Sequence, residues 1–176
     1  DYLTKFTFQK FVEDIEKSIK IFNYKLGYNP GFFSYPFGEY NLEQKNYISN
    51  NFEFAFGQHS GVIDLNKDRY ELPRFPINEK YGEIKRFKEV ISYLPLQYRI
   101  IKPENKFMND GKNPPIMTIE FFDDQKNLEN INCFSNEGSK WRKTKIVLVD
   151  NILNINFAEK FIERRGRINC SLKDEN

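Results

Sequence analysis

The sequence predicts an α/β first half built on a parallel sheet, followed by an all-β sandwich-like module. Three observations carry this expectation. Apolar residues near the start recur at steps of three and four, helices then alternate with short apolar strands, and beyond about Leu94 short strand candidates follow one another across turn residues. With 176 residues, the chain suits one domain or two small ones, since a domain takes about 100 to 200 residues.

Phe8, Phe11, Val12, Ile15, Ile19, Phe22 and Leu26 fall on one face of a helix spanning roughly 7 to 26. Thr7 is placed to cap it, Phe6 and Phe11 to form a hydrophobic staple, and Gly27 to stop it in a left-handed turn. An apolar run from Phe32 to Phe37 follows. Asn41 with Gln44 then makes a capping-box pattern that opens a short helix through about Asn50. Residues Glu53 to Gln58 and Phe75 to Ile77 read as strands, and Ile84, Phe87, Val90 and Ile91 mark another helix. Strands alternating with helices in this way favour crossover connections and parallel pairing.

The second half offers strand candidates at Gln97 to Ile101, Ile116 to Phe122, Asn130 to Phe134, Lys145 to Val149, Ile152 to Phe157 and Arg167 to Leu172. Turn chemistry separates them: Asn109-Asp110-Gly111, Asn113-Pro114-Pro115, Asn136-Glu137-Gly138 and Asp150-Asn151. Ala158 to Lys160 could hold one helical turn. The expected division is 1–98 and 99–176.

Lys plus Arg exceed Asp plus Glu by only 27 − 25 = 2, and no block concentrates the excess, which argues against a dedicated nucleic-acid binder. No apolar run approaches the length of a membrane span. Cys133 and Cys170 show no C-x-x-C spacing, so structural zinc of the usual kind is excluded. A disulfide and two buried free thiols both remain open. The single histidine also removes any His-His metal pair within this chain.

Residues Gly31 to Tyr40 form the most unusual stretch: two glycines and a proline fix a sharp turn after a strand, surrounded by aromatics. Loops after parallel strands are where α/β folds place their sites, and a glycine-flanked turn can present backbone N–H groups to an oxyanion. The alternative is an aromatic turn needed only for folding. His59 leaves the strand of 53 to 58 between Gly57 and Gly61, where it suits a general acid or base or an ordinary hydrogen-bonded residue. Arg74 is held between Pro73 and Pro76, so its guanidinium has a fixed direction and suits a carboxylate partner. Trp141 reads as a core residue of the sandwich, or as a sugar-stacking ring if exposed. Asp123-Asp124 reads as a solvated turn.

The order of the first helix, Gly27 with Pro30, Phe33-Ser34-Tyr35-Pro36-Phe37-Gly38-Glu39-Tyr40, Asn51 to Phe56 and Pro73-Arg74-Phe75-Pro76 resembles the latter part of the polysaccharide deacetylases of NodB homology. The similarity covers about residues 1 to 93. It implies a partial (β/α) barrel and an enzyme that removes N-acetyl groups from amino sugars of a surface or extracellular glycan. By this resemblance Phe37 would supply a backbone N–H to the oxyanion, while Tyr35, Pro36 and Gly38 would wall the sugar groove. Ser34 stands where many members carry Arg, and Arg74 is the candidate substitute. His59 falls near a later motif position. The family's Thr-Phe-Asp-Asp-Gly-like strand and its His-x-x-x-His have no counterpart, and are expected upstream of Asp1. The resemblance therefore implies a divalent metal, zinc or similar, in the complete enzyme and none bound by this chain alone. It also implies a periplasmic or extracellular setting. The rival expectation is a non-catalytic carbohydrate-binding protein that uses the aromatic loop 32–40.

Overall fold

The computed structural model describes residues 7–108 and 110–173. The chain divides into two compact units, Asp1–Pro95 and Leu96–Asn176.

In the first unit, helix α1 spans Phe8–Leu26. Thr7 Oγ1 accepts from the Lys10 N–H at 3.2 Å, and Gly27 closes the helix at φ 80° with its N–H on the Asn23 carbonyl at 2.7 Å. Both ends follow the sequence expectation, whereas the expected staple involves Phe6, which lies outside the described residues. Strand β1 (Phe32–Ser34), helix α2 (Leu42–Ser49) and strand β2 (Phe54–Phe56) come next. Asn41 and Gln44 form the full capping box, each side chain bonding the other's backbone N–H. The strands pair in parallel with Phe33 opposite Ala55. Ile15 of α1, Ile48 of α2, Tyr35, Phe52 and Ala55 form the core, with Phe11, Ile19 and Tyr40 packed on it. Helix α3 spans Ile84–Ile91, and its apolar residues Ile84, Phe87 and Ile91 are exposed.

The strand expected at Phe75–Ile77 does not form. Leu72 alone makes a parallel bridge, to Phe56, with Leu72 N–H on the Ala55 carbonyl and Gly57 N–H on the Leu72 carbonyl. The next donor on that side, Arg74 N–H, goes to the His59 carbonyl instead of the in-register Gly57 carbonyl, and Pro76 has no N–H to offer, so the ladder is not extended. No closed barrel is present among the described residues.

The second unit holds two antiparallel sheets. One is ordered β3-β4-β8-β7 (Ile100–Lys102, Met117–Glu120, Ile152–Asn156, Lys145–Val149), the other β6-β5-β9 (Arg142–Lys143, Asn132–Ser135, Ile168–Ser171). Ile119, Leu153 and Ile155 from the first sheet share one core with Cys133 of the second, joined by Phe121, which follows β4, and by Leu128 and Ile131. Only Thr144 separates β6 from β7, so the chain passes from one sheet to the other at a single buried residue. Cys133 and Cys170 sit directly opposite in the β5–β9 register and form a disulfide.

Two expectations for this unit need correction. Residues 158–160 form a bend rather than a helical turn, because their groups pair across the fold: the Lys160 carbonyl accepts the Gly138 N–H at 3.0 Å and Glu159 pairs with Arg142 at 2.8 Å. Trp141 is 55% exposed and is no core residue, because it precedes β6 on the outward side of its pleat. Asp123-Asp124 does form an exposed turn, while Asn109 of the expected 109–111 turn lies outside the described residues.

Candidate functional site

Parallel pairing brings the ends of β1 and β2 to the same edge of their sheet, and the loops that leave them meet there. From β1 the chain enters Pro36-Phe37-Gly38. Tyr35 N–H still reaches the Phe56 carbonyl at 3.0 Å, after which Gly38 N–H turns back to the Tyr35 carbonyl at 2.8 Å and Glu39 N–H to that of Pro36 at 3.2 Å. Two consecutive residues then take the left-handed conformation, Phe37 at φ 58° and Gly38 at φ 69°. A bulky residue there is strained by about 1 kcal/mol or more, and such strain tends to be kept where it positions a group.

Gly38 is required twice. Besides its positive φ, a Cβ on it would lie 2.7 Å from both the Cβ and the backbone nitrogen of Gln58. The β1 turn and the β2 exit therefore touch, with His59 next in the chain. His59 is exposed, and its Nδ1 lies 2.7 Å from where a Cβ on Gly57 would stand. Arg74 fastens this exit. Its backbone N–H donates to the His59 carbonyl at 3.0 Å and its Nε to the Gly57 carbonyl at 3.0 Å. The expected carboxylate is replaced by a backbone carbonyl, because the proline-bounded segment runs beside Gly57 and His59.

Phe37, Gly38, His59 and Arg74 are thus gathered on one rim. Phe37 is 39% exposed and Pro36 is exposed as well, so both can meet a ligand. Tyr35 does not: it is 1% exposed, stacked on Tyr40 with ring centroids 4.3 Å apart, and its hydroxyl donates to the Tyr70 carbonyl at 3.0 Å. Alternation along the strand turns it to the helix-covered face with Phe33, so its expected place in a groove wall is corrected to a core role.

Behind the rim lies a polar network with no diagnostic spacing in the sequence. Tyr40 donates to Glu71 Oε2 at 2.9 Å, and Lys45 Nζ pairs with Asp68 at 2.7 Å and with Glu71 at 3.4 Å. Burial raises the Tyr40 hydroxyl well above its ordinary pKa, with the Glu71 charge adding to it. Burial likewise raises Tyr35, with the charges of Asp68 and Glu71 adding to it. Burial works to lower the Lys45 amine, but its hydrogen bond to Asp68 and its two carboxylate neighbours prevail, and the net shift is upward. The network anchors residues 68–71 beside β2, where Ala55 N–H reaches the Arg69 carbonyl at 2.9 Å.

Among the described residues no group of three or more His, Cys, Asp and Glu side chains could hold a metal ion, and no helix is long and apolar enough to cross a membrane. No family model, curated protein or solved structure matches the chain.

Proposed function

We propose that this chain forms the later part of a metal-dependent polysaccharide deacetylase, contributing one rim of a sugar groove. The observation that carries the reading is the strained left-handed Phe37 at the end of a parallel strand, packed beside the exit loop that presents His59. The Tyr35-Pro36-Phe37-Gly38-Glu39 motif that resembles the family occupies that turn.

The reaction adds water to the acetyl carbonyl carbon, breaks the C–N bond, and leaves acetate and an amine that takes up a proton. A divalent cation would polarise the carbonyl and activate the water. The described residues do not fit such an ion, so in this reading the cation and the general base are supplied from outside them. What these residues contribute is positional. The Phe37 peptide N–H is the donor for the developing oxyanion, Pro36 and Gly38 form the wall, and His59 offers an exposed imidazole for proton exchange. Arg74 holds the His59 loop in register with the turn. The Cys133–Cys170 disulfide supports an oxidising setting such as the periplasm or the cell exterior.

Titration of an N-acetylglucosamine oligomer into the chain, followed by backbone amide NMR, tests the reading. Shifts centred on Phe37, Gly38, Gln58 and His59 are expected. Equal shifts with the fully deacetylated oligomer, or shifts confined to the second unit, would overturn it.

A further inference from the structure

The outward face of the sheet β6-β5-β9 carries a side-chain set that the core of the second unit does not use. Cys133, Ser135 and Cys170 occupy the inward positions, so alternation places Phe134, Lys143 and Asn169 on the opposite face, three abreast across the strands. Asn132 and Ser171 form the next row. Trp141 stands two residues before Lys143 on backbone already extended at Lys140, and so shares its side of the pleat. Arg167 bears the same relation to Asn169.

Two rings are therefore exposed together, Phe134 at 43% and Trp141 at 55%. Around them stand amides, a hydroxyl and two cations; among the described residues the strand positions of this face hold no carboxylate, and Glu163 approaches only its Arg167 end, where its Oε2 accepts from Asn136 at 3.3 Å. The outward face of the other sheet differs in kind: its exposed apolar residues, Ile100, Val147, Val149 and Ile152, are aliphatic.

The row is also fixed from behind. The Cys133–Cys170 disulfide ties β5 to β9 beside Phe134 and Asn169. On the other flank Ser135 and Thr144 share a hydroxyl hydrogen bond, and Thr144 N–H donates to the Cys133 carbonyl at 2.9 Å. A platform held this way loses little freedom when a ligand settles on it.

We propose that this face binds an anionic polysaccharide. Trp141 and Phe134 stack on the C–H faces of pyranose rings, Lys143 and Arg167 pair with carboxylates, and Asn132 and Asn169 bond hydroxyl groups. The site lies wholly within the second unit and does not depend on the deacetylase reading.

Native gel electrophoresis of the whole chain through alginate, a linear polyuronate without N-acetyl groups, provides the test, with neutral dextran as the reference gel. Retardation in alginate alone is expected, weakened about tenfold in apparent affinity by Trp141→Ala and by Phe134→Ser. Lys143→Gln should weaken it less and reduce its salt dependence. Near-ultraviolet dichroism and the thermal midpoint identify any variant that fails to fold, and Lys143→Gln, at an exposed position, remains informative in that event. The proposal is overturned by absent retardation, by retardation that both ring variants retain in full, or by double-stranded DNA displacing alginate at equal charge concentration, which would mark a general attraction for polyanions.

Discussion

Arg74 donates its backbone N–H to the carbonyl of His59 at 3.0 Å, so the only histidine is held by an arginine whose side chain also grips the carbonyl two residues earlier. Replacing Arg74 by Ala keeps the first bond and removes the second. The expected stability cost is about 1 kcal/mol, read from denaturant unfolding. In the complete enzyme of the proposed reading, acetate release should fall about 10²-fold in kcat with KM little changed, because the lost bond positions the loop rather than binding sugar. A change confined to KM would show instead that Arg74 contacts substrate.

Two glycines with similar backbone angles should respond differently to alanine. Gly27, at φ 80° with nothing within 4 Å of an added Cβ, carries only the conformational penalty of about 1 kcal/mol. Gly38, at φ 69°, adds a collision with the backbone of Gln58, so Gly38→Ala should cost about 2 to 3 kcal/mol or more. Thermal melts of the two variants side by side make the comparison.

Alkaline stability should report the buried tyrosines. Burial raises Tyr35 and Tyr40 above their unfolded value, so their contribution is fully present below about pH 10 and is lost as pH rises beyond it. In the tyrosinate absorbance band, Tyr35 and Tyr40 should contribute only as the first unit unfolds. Tyr40→Phe should remove part of that alkaline transition.

Reduction of Cys133–Cys170 should destabilise the second unit by about 3 to 4 kcal/mol, since the bond closes a loop with a sequence separation of 37. The amide signals of the first unit should keep their positions. A thermal midpoint unchanged by reductant, with both thiols titratable, would contradict this.

Much of this architecture could be read from residue pattern, and the reasons differ by element. The ends of α1 and the box at Asn41 and Gln44 were legible because capping is local chemistry between residues a few positions apart. The strand expected at 75–77 does not form because its apolar residues satisfy the pattern while Pro76, within it, has no N–H for a ladder. Phe37, Gly38 and His59 stood out through glycine and proline spacing, yet the burial of Tyr35 depended on which face α1 and α2 cover. The prolines around Arg74 suggest a fixed direction and a carboxylate partner, whereas its Nε goes to the Gly57 carbonyl, a group that only the folded chain brings close. Lys45, Asp68 and Glu71 gave no signal, since 23 and 26 residues separate the lysine from its partners.

The placement of Trp141 gives the protein a built-in division of spectroscopic labour. The only indole belongs to the second unit, on the face with Phe134, while the only imidazole belongs to the first, on the rim with Phe37. Fluorescence therefore listens to one surface and histidine proton resonances to the other. A ligand added to the unlabelled, unmutated chain declares by which signal it moves where it has gone.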